Sequence, residues 1–306
     1  MDAIQKSLLE AVADLHEVPA GAYNIRANGK SVGRNTSANI DIRKREDGQD
    51  GIDVVIRPGT KKESVHMPVL LSEAGLTEMV YNDFYVGEDA DVVIVAGCGI
   101  HNGGEKDSRH DGIHTFHIGK NARLRYVEKH YGSGDGNGKR LMNPTTVIEI
   151  SEGGHMEMET VQIKGVDSTE RVTRVTLAEG ASIVIKESLM THGKQVAKTD
   201  FTVDMNGEDS SANVISRSVA KDDSHQVFIS RINGNAKCSG HTECDAIIMD
   251  SATVSAVPEI TANSIDAALI HEAAIGKIAG EQLIKLMSLG LTEAEAEEQI
   301  VNGFLK

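Results

Sequence analysis

Tryptophan is absent from this chain, aromatic residues make up only 3% of it, and no Lys/Arg cluster locally reverses a formal net charge of −15. A chain this acidic repels phosphate backbones and anionic lipid, and one this poor in aromatics lacks stacking platforms for single-stranded nucleic acid. Neither nucleic acid nor a membrane is expected as a partner. The same shortage counts against carbohydrate binding, because apolar sugar faces need flat aromatic partners. No apolar run reaches the length needed to cross a bilayer. Cysteine is scarce too: Cys98, Cys238 and Cys244 cannot all pair within one chain, and no N-terminal apolar run resembles a signal peptide. Reduced thiols in a cytoplasm are the expectation. No phosphate-binding Gly-Lys-Ser/Thr loop, nucleophile elbow or paired-carboxylate motif occurs, so the chain itself is not expected to hydrolyse ATP.

What is there is repetition. From Met1 to His16, Ile4, Leu8, Leu9, Val12 and Leu15 recur at helical spacing until Pro19 and Gly21 end the segment. Alternating strands follow from Tyr23 to Val69, and residues 1–85 read as an N-terminal cap of one helix and short strands. From Val86 onward, a Gly/acid-x-x-Ala unit leads repeatedly into alternating apolar residues. Its alanines are Ala90, Ala122, Ala181, Ala236, Ala252 and Ala268, with the first two 32 residues apart and the last three at intervals of 16. A repeat of strands and turns cannot bury an apolar face alone and must stack on its neighbours. The predicted fold is mainly β, a parallel β-helix over residues 86–276 whose ends are covered by caps; a β-sandwich is the alternative. After Gly276 the period becomes 3.6. Ile278, Leu283, Leu286 and Met287 share a face, Gly290 stops that helix, and Thr292 with Glu295 forms a capping box for another that buries Ile300, Val301 and Phe304. Residues 277–306 are thus a helical hairpin.

If each small alanine marks an inward corner, the residues two and four later also point in, while Arg123 and Arg125 point out. In the late copies this places Cys238 inside, Cys244 on the same face, and Ile270 and Glu272 inside. An acid facing a solenoid core costs several kcal/mol unless protonated, paired or metal-bound, roughly the penalty for any unpaired buried charge. Beside two thiols it becomes a candidate ligand, since thiolates select Fe-S clusters, Zn or Cu(I) and a carboxylate or imidazole can complete the shell. Set against this, a five-residue gap is not a recognised metal spacing, free cysteines are commonly buried as small hydrophobes, and His271 and Glu272 read equally as surface groups. His114 and His117 fall on opposite faces of one strand, so the histidines between His101 and His130 do not all converge.

Three segments carry a resemblance. They are Gly240-His241-Thr242-Glu243-Cys244-Asp245-Ala246-Ile247-Ile248, Ser255 to Ile260, and His271-Glu272-Ala273-Ala274-Ile275-Gly276-Lys277-Ile278, continuing through Met287-Ser288-Leu289-Gly290-Leu291 and Val301-Asn302-Gly303-Phe304. The chain resembles the SufB/SufD scaffold proteins of iron-sulfur cluster assembly, SufB more than SufD, over roughly residues 85 to 306. The resemblance implies a right-handed β-helix that accepts sulfur and iron, builds a nascent Fe-S cluster, and docks a SufC-like ABC ATPase through the C-terminal helices, with Ile278, Leu283, Leu286, Met287 and Phe304 as the docking face. ATP would be bound by that partner. By the same resemblance Cys98, in Val95-Ala96-Gly97-Cys98, matches a persulfide acceptor served by a cysteine desulfurase or other sulfur donor. Cys244, Glu272 and His271 match residues associated with assembly and metal at a subunit interface, with Cys238 a further candidate. Longer SufB proteins resemble Cys-x-x-Asp before the apolar run, which falls on Thr242, two residues from Cys244 on the same strand face. SufB-like and SufD-like features occur together, and the long N-terminal region of SufB is lacking, so a minimal homodimeric, non-catalytic scaffold is expected. A β-helix carbohydrate-active enzyme or a passive protein-interaction solenoid are the competing readings.

Overall fold

The computed structural model describes residues 1–305. Its elements in chain order are α1 (Ala3–Ala13), β1 (Ala22–Ala27), β2 (Lys30–Asn35), β3 (Ile40–Lys44), β4 (Gly51–Ile56), β5 (Lys61–Leu71), β6 (Thr77–Val86) and β7 (Asp91–His101). There follow β8 (Ser108–Ile118), β9 (Arg123–Ser133), β10 (Arg140–Met142), β11 (Thr145–Ile150), β12 (His155–Lys164), β13 (Ser168–Leu177) and β14 (Ser182–Thr191). The last are β15 (Val196–Met205), β16 (Ser210–Ala220), β17 (His225–Gly234), β18 (Cys238–Ile248), β19 (Thr253–Ala262), β20 (Ala268–Gly276), α2 (Gly280–Ser288) and α3 (Glu293–Phe304). Among these no helix is long and apolar enough to cross a membrane.

Alternate strands fall into two sheets, β2-β1-β5-β7-β9-β12-β14-β16-β18-β20 and β19-β17-β15-β13-β10-β8-β6-β4-β3, joined coil by coil into a parallel β-helix. Asp91, Arg123 and His155 stand one above the next at 32-residue steps, and later coils advance by 27 to 29 residues, as from His155 to Ser182 and from Ser182 to Ser211. The 32-residue spacing of the early alanines is therefore one full coil, and the 16-residue spacing of the late ones is half of one, from one sheet to the other. Ala90, Ala122 and Ala181 are fully buried at corners, each following a left-handed residue: Asp89 (φ 56°), Asn121 (φ 52°) and Gly180 (φ 63°). Asp, Asn and Gly are the residues that tolerate that conformation. Val92 and Ile94, Leu124 and Tyr126, Met156 and Met158, and Ile183 and Ile185 then stack in register along the interior. Pro144, with no N–H to donate, interrupts the strand that becomes β10 and β11.

Parallel pairing already runs through residues 1–85, where β4 pairs with β6 and β1 with β5. The first coil is closed by the antiparallel pairs β1–β2 and β3–β4. Helix α1, with a capping box between Asp2 and Gln5, lies on the outside of the first sheet and buries Leu8, Leu9 and Val12 against Ile25 and Leu70. Two glycines of β7 permit that approach. A Cβ on Gly97 would fall 2.7 Å from the Val12 carbonyl oxygen, and one on Gly99 would fall 3.0 Å from Leu8 Cδ2. At the other end, Gly290 (φ 101°) separates α2 from α3, and the Thr292–Glu295 capping box is formed. The hairpin folds back along the solenoid, where Ser188 Oγ of β14 donates to the Leu305 carbonyl at 2.9 Å.

Candidate functional site

Two columns of inward side chains on one wall connect the thiols. From Cys98 on β7, register runs through His130, Gln162, Leu189 and Ser218 to Ala246. From Cys244 on β18 it runs back through Ser216, Glu187, Thr160 and Glu128 to Ala96. Cys98 and Cys244 therefore line adjacent columns of the same interior wall, five strand spacings apart, or about 24 Å. Most of the positions between them are polar.

Those polar groups are buried, and most are hydrogen-bonded; among the described residues the Thr160 hydroxyl has no partner. The Arg171 guanidinium on the facing sheet lies 2.5 Å from Glu128 and 3.9 Å from Glu187. Glu187 also accepts from Thr199 Oγ1 at 2.8 Å and Ser216 Oγ at 2.7 Å. Tyr126 donates to Glu128 at 3.0 Å, and His114 Nδ1 lies 3.0 Å from the Tyr126 hydroxyl. Nearer the first coil, Arg26 Nε donates to Glu78 at 2.7 Å, and His110 Nδ1 sits 3.4 Å from the other Glu78 oxygen. Burial raises the Glu128 pKa, but the Arg171 charge, followed by His130, outweighs it, and the carboxyl is held well below its usual range. Burial keeps His114 neutral, its pKa brought down to about 4.

Cys98 adjoins a cavity of about 20 Å³, room for one water, lined also by Arg26, His110, His114, Glu128 and His130. Burial, then the charges of Glu78 and Glu128, push its thiol well above the ordinary range. Cys244 is likewise pushed up, to about 12, by burial and then by Glu187 and Asp245. Both are thiols at neutral pH, so either needs its proton removed as it reacts.

The late coil corrects one sequence-based expectation. Its inward corner is Ala267, one residue before Ala268, so Leu269 and His271 turn inward while Ile270 and Glu272 face outward. A one-residue slip flips every side chain to the other face. The Glu272 side chain is 67% exposed, in register with Glu243 and 3.9 Å from His241 Nε2. His271 lies opposite Thr242 with its Nδ1 buried and unpartnered, diagonally about 8 Å along the wall from Cys244. Cys238 and Cys244 both face in, as expected, but an extended strand sets them about 20 Å apart, so the seven-residue window does not bring its sulfurs together. Among the described residues no three His, Cys, Asp or Glu side chains converge to hold a metal ion, and Cys244, Glu272 and His271 do not form a ligand set within one subunit.

The acids that do face the interior are Glu128, Glu187 and Glu78, none of them singled out from the sequence. The signal was available: Leu124 and Tyr126 point in, so Glu128 two residues on must follow, as Glu187 follows Ile183 and Ile185.

Residues 73–304 match the family model described as SUF system FeS cluster assembly, SufBD core domain. An iron-sulfur cluster assembly SufBD family protein of Methanocaldococcus jannaschii is 32% identical over 265 residues, covering 86% of this chain and 83% of that protein. A protein of the same description from Archaeoglobus fulgidus is 30% identical over 251 residues, 81% of this chain and 66% of the relative. One from Pyrococcus horikoshii is 27% identical over 292 residues, 92% of this chain and 86% of the relative. With a match that runs from β6 through α3 and relatives aligned along most of the chain, this protein belongs to the SufBD family of iron-sulfur cluster assembly proteins.

Proposed function

We propose that this chain is the scaffold subunit of a SUF-type assembly complex: it takes sulfur at Cys98, presents it with iron at Cys244, and works with a SufC-like ABC ATPase without catalysing a reaction of its own. The supporting observation is the polar interior wall between the two buried thiols, which a merely structural solenoid would fill with apolar side chains at lower cost. At Cys98 the thiol sulfur attacks the outer sulfur of a donor persulfide. The donor S–S bond breaks, its thiolate leaves with the Cys98 proton, and a Cys98 persulfide remains, with no net oxidation. His110 and His130 line the cavity with Cys98, and His130 is its register partner on β9; they are the candidate bases for that proton. The iron and the nascent cluster are cargo.

A second copy completes the site. β19 and β20 are the terminal strands of the two sheets, and Val257, Ile260, Ile270 and Ile275 are exposed on them. Unpaired edges carrying apolar side chains are strand-addition surfaces unless covered. End-to-end pairing of two chains would bring two copies of Glu272, His271 and the underlying Cys244 together at one seam. Anaerobic reconstitution with iron and sulfide, followed by visible absorption, is expected to show most of the cluster band lost in Cys244→Ala while its circular dichroism is unchanged. Identical spectra would sink the ligand assignment.

For the ATPase, α2 offers a face with no buried residue. Of the docking residues expected from sequence, Met287 is exposed whereas Ile278, Leu283, Leu286 and Phe304 are half-buried; Ile284 at 68% and Leu289 at 75% are the most exposed apolar groups there. Ile284→Glu is expected to weaken capture of a SufC-like ATPase by tenfold or more, about the 1.4 kcal/mol or greater carried by a buried interface side chain. Stability should not change. Undiminished capture would move the dock elsewhere.

A further inference from the structure

The turns that follow β9, β12 and β14 lie one above another at a single corner of the solenoid, and between them is a cleft of about 720 Å³. Lys139, Lys164 and Lys194 line it, one from each coil, together with His192. They are scattered in the sequence and gathered only because coil length carries each turn over the last. Lys120, Lys198 and Lys237, elsewhere on the surface, each have a carboxylate within 4.0 Å. Among the described residues the three cleft lysines have none, in common with others such as Lys186 and Lys221; what sets the three apart is that they line one cleft.

One acid lines the cleft, Asp167, and it is taken. Arg140 donates to it through Nε at 2.7 Å and Nη2 at 3.0 Å, and its Nη1 donates to the Gly134 carbonyl at 2.9 Å. Three lysines with no carboxylate within reach thus line one concave volume, in a chain whose net charge is −15. Four glycines, Gly132, Gly134, Gly165 and Gly193, are among the lining residues. Gly132 and Gly165 approach so closely that a Cβ on either would lie 2.0 Å from the other's carbonyl oxygen, so the coils can close here only on glycine.

We propose that this cleft binds a compact, multiply charged oxyanion of the phosphate class. With the one guanidinium fork committed to Asp167, the available donors are ammonium point charges. These suit a tetrahedral oxyanion approached from several sides better than a planar carboxylate, which is best held by a bidentate fork. The volume lies within the range of small-ligand sites, roughly 300–1,000 Å³. The site also backs onto the Cys98 layer: Val166, between cleft residues Gly165 and Asp167, belongs to the apolar cluster that holds Cys98, Ile100 and Met142. The inference needs only this charge and shape and is independent of the sulfur and iron roles.

The test is titration calorimetry of the full chain with pyrophosphate at low ionic strength, with citrate and an oligoglutamate peptide as comparison arms. Saturable one-to-one binding is expected. It should weaken about tenfold or more in Lys164→Gln/Lys194→Gln, the combined worth of two exposed charge contacts, and change less than twofold in Lys120→Gln/Lys237→Gln. In the unaltered protein, pyrophosphate should also shield Lys164 and Lys194 from acetylation relative to Lys120 and Lys237. Absence of saturable binding, equal losses in both double variants, or tighter binding of citrate or oligoglutamate at the same lysines would overturn the proposal.

Discussion

Arg171→Met is expected to destabilise the fold by about 3–5 kcal/mol at neutral pH, the usual cost of removing one partner from a buried ion pair. Arg171 is the cation facing both Glu128 and Glu187 in an interior where all three side chains are at most 5% exposed. Methionine fills much of the same volume, so the loss isolates charge. The pH dependence identifies the cause. In the unaltered protein the Glu128 pKa is held below its unfolded value, so the stabilisation it brings is present above about pH 4.5 and is lost as pH falls through the folded value. Without Arg171, burial becomes the dominant influence and the folded pKa rises above the unfolded one. The deficit should then be greatest near neutrality and shrink toward pH 4.5, where Glu128 can be buried protonated. Urea unfolding at pH 7 and pH 5 measures both, and a loss below 1 kcal/mol or a flat pH dependence would show that Arg171 does not compensate these acids.

Gly97→Ala should be nearly as costly, about 3–4 kcal/mol, by displacing α1. The added methyl would meet the Lys129 carbonyl oxygen and the Val12 carbonyl oxygen, each at 2.7 Å. Backbone on both sides cannot rotate away as a side chain can. If α1 lifts, Leu8, Leu9 and Val12 lose burial worth roughly 1.5–3 kcal/mol each, offset in part by the freedom the segment regains. Hydrogen exchange should show protection lost over residues 3–13 while the later coils keep theirs, as expected of a stack stabilised between neighbours. Protection unchanged over α1 would refute the close-contact account. Gly97 and Cys98 thus have separate physical reasons: the glycine seats a helix outside, and the cysteine faces the polar interior.

The inward rule read from Ala90, Ala122 and Ala181 holds in the structure because each alanine is fully buried at a corner, directly after a left-handed residue that turns the chain. It failed at Ala268 because Ala267 also satisfies the pattern, and local sequence does not choose between adjacent alanines. The pairing of β20 on β18, Ser239 opposite Ala268, makes that choice and sends Glu272 outward. Cys238 and Cys244 lie close in sequence, but an extended backbone separates what a loop would have gathered.

Alternation, small corner residues and turn-forming Asp, Asn and Gly were enough to specify stacked coils with helices at both ends, since these are local preferences repeated down the chain. Which residues from different coils face each other was settled only by register. Coil lengths of 27 to 32 residues placed Glu128 beneath Thr160 and Glu187, Arg171 across from them, and three distant lysines around one cleft. Such meetings depend on the summed length of each coil, a property that no short stretch of sequence carries.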